Sequence, residues 1–255
     1  MNPKITVVTV VRNAATLIDR TILSVLEQDY PNVEYIIIDG ASTDGTLAKI
    51  QTYAETVSMA DGRSLRYVSE PDGGIYDAMN KALRMATGEW VNFMNAGDTF
   101  ANDHVLTDVF GDDGALAKHC DIADEKRLPW VIGGNTVNFF ADGREEIHHA
   151  EAADVIPQRM PFSHQAAFVR IQPETFCFGM QYPFAADYKL LYDLYFAYGA
   201  SAFLILDLPI ARYRQEDSLS MNPQNQRAIK SEYLRIQSAH RTWHWWKEYL
   251  KLRLM

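Results

Sequence analysis

The chain predicts an α/β fold: a mostly parallel sheet flanked by helices, with a helical C-terminal extension. Three observations carry that prediction. The first hundred residues alternate short β-branched runs with amphipathic stretches, a polar cluster follows each of four such runs, and Asn222 to Leu250 leaves that rhythm for mostly helical spacing.

Ile5–Val11 is a continuous β-branched run, the pattern of a strand buried on both faces. Ala14–Asp29 places Leu17, Ile18, Ile22, Val25 and Leu26 at helical spacing, and Tyr30-Pro31-Asn32 breaks it. Glu34–Asp39 is the second strand, and Thr43 to about Val57 the second helix. Leu65–Ser69 is a short third strand, followed by a helix over Gly74–Thr87 with Ile75, Met79, Ala82, Leu83 and Ala86 on one face. Glu89–Met94 is the fourth strand. A β-α-β-α-β-α-β series implies parallel strands with helices on both sides, and such sheets bind ligands beyond the C-terminal ends of their strands. Further on, Trp130–Gly134, Thr136–Phe140, Ala166–Ile171 and Phe203–Asp207 read as strands, Asp142-Gly143 as a turn and Asp187–Tyr198 as a helix. No repeat or linker splits the chain.

Composition narrows the function classes. The chain has 255 residues, enough for one large domain. Only Cys120 and Cys177 are present, so neither a disulfide framework nor a cysteine zinc cluster is expected, and a reducing compartment is. Met1–Lys4 runs straight into a strand, which does not read as a leader, and no apolar run reaches membrane-spanning length. The expectation is a cytoplasmic protein, with peripheral attachment to the cytosolic face of the inner membrane as an option. Net charge is −9, but Arg227–Met255 carries seven Lys/Arg against two Asp/Glu. The acidic body argues against nucleic acid as a partner.

The four polar clusters are Thr9-Val10-Val11-Arg12-Asn13, Asp39–Gly45, Ser69–Gly74 and Asn95-Ala96-Gly97-Asp98. A nucleotide needs acceptors for its base N–H and its ribose hydroxyls, which Asp39 and Asp72 can supply, while adjacent glycines permit close backbone approach. Each cluster alone also reads as an ordinary turn or helix cap, and Asp44 is assigned to capping. Asp98 reads as a ligand for a hard cation such as Mg²⁺ or Mn²⁺, or as the N-cap of a helix from Thr99. No G-x-G-x-x-G follows the first strand, which argues against a dinucleotide oxidoreductase, and Thr9–Ala15 lacks the basic glycine-rich loop of sugar-phosphate nucleotidyltransferases.

In order along the chain, these clusters resemble glycosyltransferase family 2, the inverting enzymes with a GT-A fold. The strongest piece is Ser69-Glu70-Pro71-Asp72-Gly73-Gly74-Ile75-Tyr76-Asp77-Ala78-Met79-Asn80-Lys81-Ala82. Together with Ser163–Phe168 and Ala185-Ala186-Asp187-Tyr188, it is similar to the bacterial polysaccharide-building branch, including colanic-acid-type enzymes. The resemblance spans roughly residues 4–220 and implies a GT-A domain over 1–221 with the extension over 222–255. It implies Asp187 as the base, Thr9, Asn13, Asp39, Asp72 and Asn95 around the nucleotide-sugar, and Asp98 on Mn²⁺ or Mg²⁺. It also implies His164 and Gln165, and Arg212 and Arg214, near the acceptor or the diphosphate. The implied partners are a nucleotide-diphosphate sugar, UDP being favoured, and a glycan or lipid-linked acceptor. Two departures qualify this: Asn95 and Gly97 stand where many relatives carry Asp, and the Tyr213–Ser218 loop lacks two glycines. The Gln-x-x-Arg-Trp signature of processive synthases is absent, which favours addition of one sugar. The thinned metal motif leaves a non-catalytic nucleotide-sugar binder or scaffold as the alternative. Asp187 has a capping alternative, and a lone His such as His164 has a structural one. His148-His149 receives no role, and Asp77 with Lys81 reads as a helix ion pair.

The tail interleaves Trp243, Trp245 and Trp246 with Lys247, Lys251 and Arg253. This suits a helix at a bilayer interface, or aromatics docked on the body or on a second subunit.

Overall fold

The computed structural model describes residues 2–56, 64–121, 124, 126–140, 142–171, 177–214, 222–241 and 243–254, without the side chains of 243, 244, 253 and 254. The first half of the chain follows the sequence pattern. Strand β1 (Ile5–Val11) is buried throughout, with Val7 and Val11 in one apolar core and Val8 and Val10 in the other. Helix α1 (Ile18–Leu26), β2 (Val33–Asp39), α2 (Thr46–Thr56), β3 (Ser64–Ser69), α3 (Ile75–Met85) and β4 (Trp90–Phe93) follow in order. Strands β3-β2-β1-β4 are parallel, in a register that sets Val11 beside Asp39 and Asp39 beside Ser69. The strand order reverses beside β1, so loops from β1, β2, β3 and β4 converge on one edge.

Beyond β4 the sheet is mixed. It continues from β4 through β8 (Ala167–Arg170), β6 (Val131–Phe139) and β9 (Phe203–Arg214) to β5 (Thr99–Phe100), with β7 (Glu145–His148) paired on β6. Strand β8 is antiparallel to both neighbours, and β5 to β9, while β6 and β9 are parallel. Two short helices, α4 (Val105–Phe110) and α5 (Ala115–His119), bury Val105, Leu106, Val109, Phe110 and Leu116 in the core that holds Val7. The two strands expected over Trp130–Phe140 are one strand with a register shift between Gly133 and Thr136. The strand expected to stop at Asp207 runs on to Arg214, because Pro209 falls at that irregularity, where a residue without an N–H is tolerated. Thr99 opens a strand, not a helix, which removes the N-cap reading of Asp98. Asp44 does cap its turn, accepting the Thr46 N–H at 3.1 Å and the Ala15 N–H at 3.0 Å. Lys81 reaches Asp77 at 3.8 Å as expected and Glu70 more closely, at 2.8 Å.

The C-terminal stretch is two helices, α7 (Gln226–Gln237) and α8 (Trp243–Leu254). Helix α7 packs into the body beside α6 (Ala186–Tyr198). Glu232 accepts the Phe184 N–H at 3.0 Å, Gln237 donates to Gln158 O and Tyr188 Oη at 2.9 Å each, and the Tyr233 ring stacks on Tyr188 at 4.1 Å. Trp245 is buried against α7, its indole N–H donating to Leu234 O at 2.7 Å, so it is a packing element. Trp246 and Leu250 face outward, 44% and 58% exposed. The side chains of Trp243 and Arg253 lie outside the described residues. No helix among the described residues is long and apolar enough to cross a membrane.

Candidate active site

The converging loops build one part of the site. Asn13 and Ala41 both adopt left-handed backbone (φ 52° and 55°), a strained conformation held by a mutual latch between the β1 and β2 loops. The Asn13 N–H donates to Ser42 Oγ, and Asn13 Oδ1 accepts from the Thr43 N–H, each at 2.8 Å. Asp39 is fully buried; its Oδ2 accepts from the Ser42 N–H at 3.1 Å and Ser69 Oγ at 2.6 Å. Its Oδ1 has no partner, an uncommon state for a buried carboxylate oxygen. Asp72 lies against the same loop: a Cβ on Gly40 would come within 2.4 Å of Asp72 Oδ2, so this approach needs glycine. Asp72 Oδ1 is held by the Gly74 N–H at 2.9 Å.

Thr9 is not part of this edge. Its hydroxyl is buried in the sheet, 2.8 Å from Tyr35 Oη and donating to Met94 O at 2.8 Å. The side-chain alternation of β1 sends it into the sheet's packing, which corrects its assignment to the nucleotide-sugar.

The second part is a cavity of about 480 Å³ that gathers Asn95, Asp98, His164, Gln165, Asp187 and Arg214. Asp98 is 6% exposed; its Oδ2 accepts from Gln165 Nε2 at 2.8 Å and its Oδ1 from the Arg214 N–H at 3.2 Å. Burial pushes its carboxyl pKa up to about 7 against those two hydrogen bonds. Asn95 Oδ1 and His164 Nε2 are buried without a partner. The His164 ring stacks on Phe93 at 5.3 Å, and burial lowers its pKa against the pull of Asp187. Asp187 sits in the first turn of α6 and caps nothing beyond its neighbour: Oδ1 accepts from the Tyr188 N–H at 2.8 Å and Tyr76 Oη at 2.9 Å, while Oδ2 lies 4.0 Å from His164 Nδ1.

Arg212 is brought elsewhere. Its guanidinium pairs with Glu145 on β7 and lies 5.8 Å from the centre of the Phe139 ring. In the sheet Arg212 is level with Thr99 and Val137, where the β7 hairpin reaches it, while Arg214, at the end of β9, reaches the cavity. Position along the strand separates the two, and the assignment of Arg212 to the diphosphate is corrected. Gln215–Ser218, also part of that expected loop, lie outside the described residues.

Several residues of the site escape sequence reasoning. Tyr76 holds Asp187; burial and then the charge of Asp187 raise its phenol pKa well above the usual value, so it stays a donor. The available signal is a tyrosine at the start of an amphipathic helix, whose hydroxyl needs a partner once buried. Asn92, fully buried, donates to Gln165 O at 2.8 Å and Ala167 O at 2.9 Å and fixes the His164-Gln165 turn. His148 and Tyr233 also line the cavity, and nothing local in the sequence marks them.

Among the described residues no group of three or more His, Cys, Asp or Glu is placed to hold a metal. The oxygen donors in the cavity include the carboxylates of Asp98 and Asp187 and the orphaned Asn95 Oδ1. That set fits a hard cation whose remaining ligands come from phosphate oxygens and water.

The sheet and its flanking helices define a GT-A fold. Solved structures show the same architecture at low identity: TarS residues 1–349 of S. aureus in complex with UDP (TM-score 0.62, 18% identity, 91% of this chain and 65% of that one). A second is the mannosyltransferase PcManGT of Pyrobaculum calidifontis in complex with GDP-Man and Mn²⁺ (TM-score 0.61, 19% identity, 94% of this chain and 64% of that one). Residues 6–115 match the family described as "Glycosyl transferase family 2", the family that the motifs resemble. TuaG of Bacillus subtilis (strain 168), a glycosyltransferase named for teichuronic acid biosynthesis, is 38% identical over 101 residues, 40% of this chain and 38% of that protein. A PGL/p-HBAD biosynthesis glycosyltransferase of Mycobacterium bovis (strain BCG / Pasteur 1173P2) is 30% identical over 107 residues, 42% of this chain and 40% of that protein. The matched stretch is thus well under half the length of these relatives.

Proposed function

We propose that this protein is an inverting glycosyltransferase that moves a single sugar from a nucleotide-diphosphate sugar, UDP being favoured, to a hydroxyl of a glycan or lipid-linked glycan in surface polysaccharide assembly. The observation that carries the reading is one cavity holding Asp98 and Asn95 together with Asp187. Asp39 Oδ1, an unpartnered buried acceptor, suits a base N–H, and Asp72 nearby suits the ribose.

Asp187 takes the proton of the acceptor hydroxyl as its oxygen attacks the anomeric carbon. The new C–O bond forms as the bond to the diphosphate oxygen breaks, and the nucleoside diphosphate leaves with the electron pair. Attack from the face opposite the leaving group inverts the anomeric centre. Tyr76 and the Tyr188 N–H hold Asp187 Oδ1, which fixes the carboxylate's orientation. A Mn²⁺ or Mg²⁺ held by Asp98 would supply charge neutralisation for the departing diphosphate, with Asn95 in the same cavity beside the nucleotide-sugar. Arg214 lines the same cavity and suits that anion. Trp246, Leu250 and Lys247 on the outer side of α8 suit peripheral attachment to a cytosolic membrane face.

Melting temperatures with UDP, GDP and dTDP, with and without Mn²⁺, test the donor assignment. The cognate nucleotide should stabilise by about 2.7 kcal/mol at a hundredfold excess over its Kd. Asp98→Ala should abolish transfer and remove the Mn²⁺-dependent part of nucleotide binding. Transfer that persists at full rate in Asp98→Ala, or in excess EDTA, refutes the metal assignment.

A further inference from the structure

A second cavity, of about 520 Å³, opens between α7, α8 and the Gln158-Arg159 turn. It shares Ile229 and Tyr233 with the cavity that holds Asp187, and the chain passes from one to the other between Arg159 and Met160. Its walls carry three cations, Arg159, Arg227 and Lys230, against one acid, Glu248, in a chain whose net charge is −9. Glu248 is already committed. It accepts from Lys251 at 2.6 Å and pairs with Lys230 at 3.0 Å, and these two hold its carboxyl at about 2. Arg159 pairs with Glu151, whereas no described carboxylate pairs with the exposed Arg227. Leu252 lends the cavity an apolar wall, and α8 also exposes Trp246 and Leu250.

We propose that this cavity binds the diphosphate of a lipid-carried acceptor, whose sugar extends past Tyr233 to Asp187. Arg227, flanked by the further donors of Arg159 and Lys230, suits a diphosphate, which accepts several charge-assisted hydrogen bonds. The apolar wall and the outward Trp246 and Leu250 suit the lipid, with the headgroup held on the inner side of α8. The location of the acceptor sugar rests on the reading of Asp187 as the base; the anion site does not.

The test is titration calorimetry on the full chain in EDTA, with geranyl diphosphate and inorganic pyrophosphate as probes. Geranyl diphosphate should bind at least about tenfold more tightly than pyrophosphate, the lipid adding buried apolar area. Arg227→Glu, at an exposed position, should weaken geranyl diphosphate about tenfold or more by placing a like charge in the site. Lys230→Gln should weaken it in the same direction, and Arg144→Glu on the distant hairpin should not. Unchanged binding in Arg227→Glu overturns the site. Equal affinity for the two probes overturns the lipid assignment. The UDP-induced shift in melting temperature should be the same in Arg227→Glu and the parent chain. If UDP stabilises neither while Arg227→Glu still loses geranyl diphosphate, the anion site stands and the glycosyltransferase reading falls.

Discussion

The two parts of the site are built in different ways. The Asp39–Asp72 edge comes from consecutive β-loop-α units, each placing its own polar cluster beyond its own strand. The Asp187 cavity draws on the start of α1, α3, the β4 loop, β7, the β8 approach, α6, β9 and α7, from Leu17 to Tyr233. The first is local geometry repeated, and the second is assembled by packing. Changes on the first should therefore show in nucleotide affinity, and changes at Asp187 and its partner Tyr76 on the second in turnover.

The largest expected separation is at Asp187→Asn, which keeps shape and loses the proton acceptor. Turnover should fall by roughly 10²–10⁴, with nucleotide affinity nearly unchanged. Lost nucleotide affinity with unchanged turnover would instead put Asp187 on the donor edge.

Next comes Asp98. An unfolded aspartate ionises near 3.8, while this one titrates at about 7, so the folded state retains the proton longer. Metal-free stability should fall as pH rises between those values, by up to about 1.4 kcal/mol per unit, and level off outside them. Asp98→Asn should flatten that slope in urea melts taken across the same pH window. A slope that persists undiminished assigns it to other groups.

Smaller effects sharpen the division. Tyr76→Phe removes the hydroxyl that holds Asp187 and should lower turnover by about tenfold, the scale of one hydrogen bond to a charged group, without changing UDP affinity. Gly40→Ala should do the reverse. Its Cβ forces Asp72 aside, so the UDP Kd should rise several-fold while turnover at saturation holds. If Gly40→Ala leaves UDP binding alone, Asp72 does not touch the nucleoside.

The same difference in construction decides what is legible in the sequence. Asp39, Asp72, Asn95 and Asp98 each follow closely on a β-branched or aromatic run, so strand periodicity alone places them at the sheet edge. Thr9 escapes that logic because a residue inside a doubly buried strand has no solvent side to mark its direction. Arg212 escapes it because its partner, Glu145, lies 67 residues away on a hairpin whose pairing local pattern does not specify. Tyr233 is part of the cavity only because Glu232 and Gln237 seat α7 against Phe184 and Tyr188. Trp245 and Trp246 are neighbours in sequence with opposite fates, one docked and one outward, which helix phase decides once α7 supplies a surface.

Asn92 has a consequence for how such chains can diversify. Its single amide grips Gln165 O and Ala167 O from β4. Everything between Thr99 and Phe162 leaves from beside that amide and returns to it. The exposed β7 hairpin of that excursion can therefore lengthen, shorten or be exchanged while His164 and Gln165 come back to the same place. One buried side chain thus works as a bookmark, marking where the chain must return whatever its exposed β7 hairpin does.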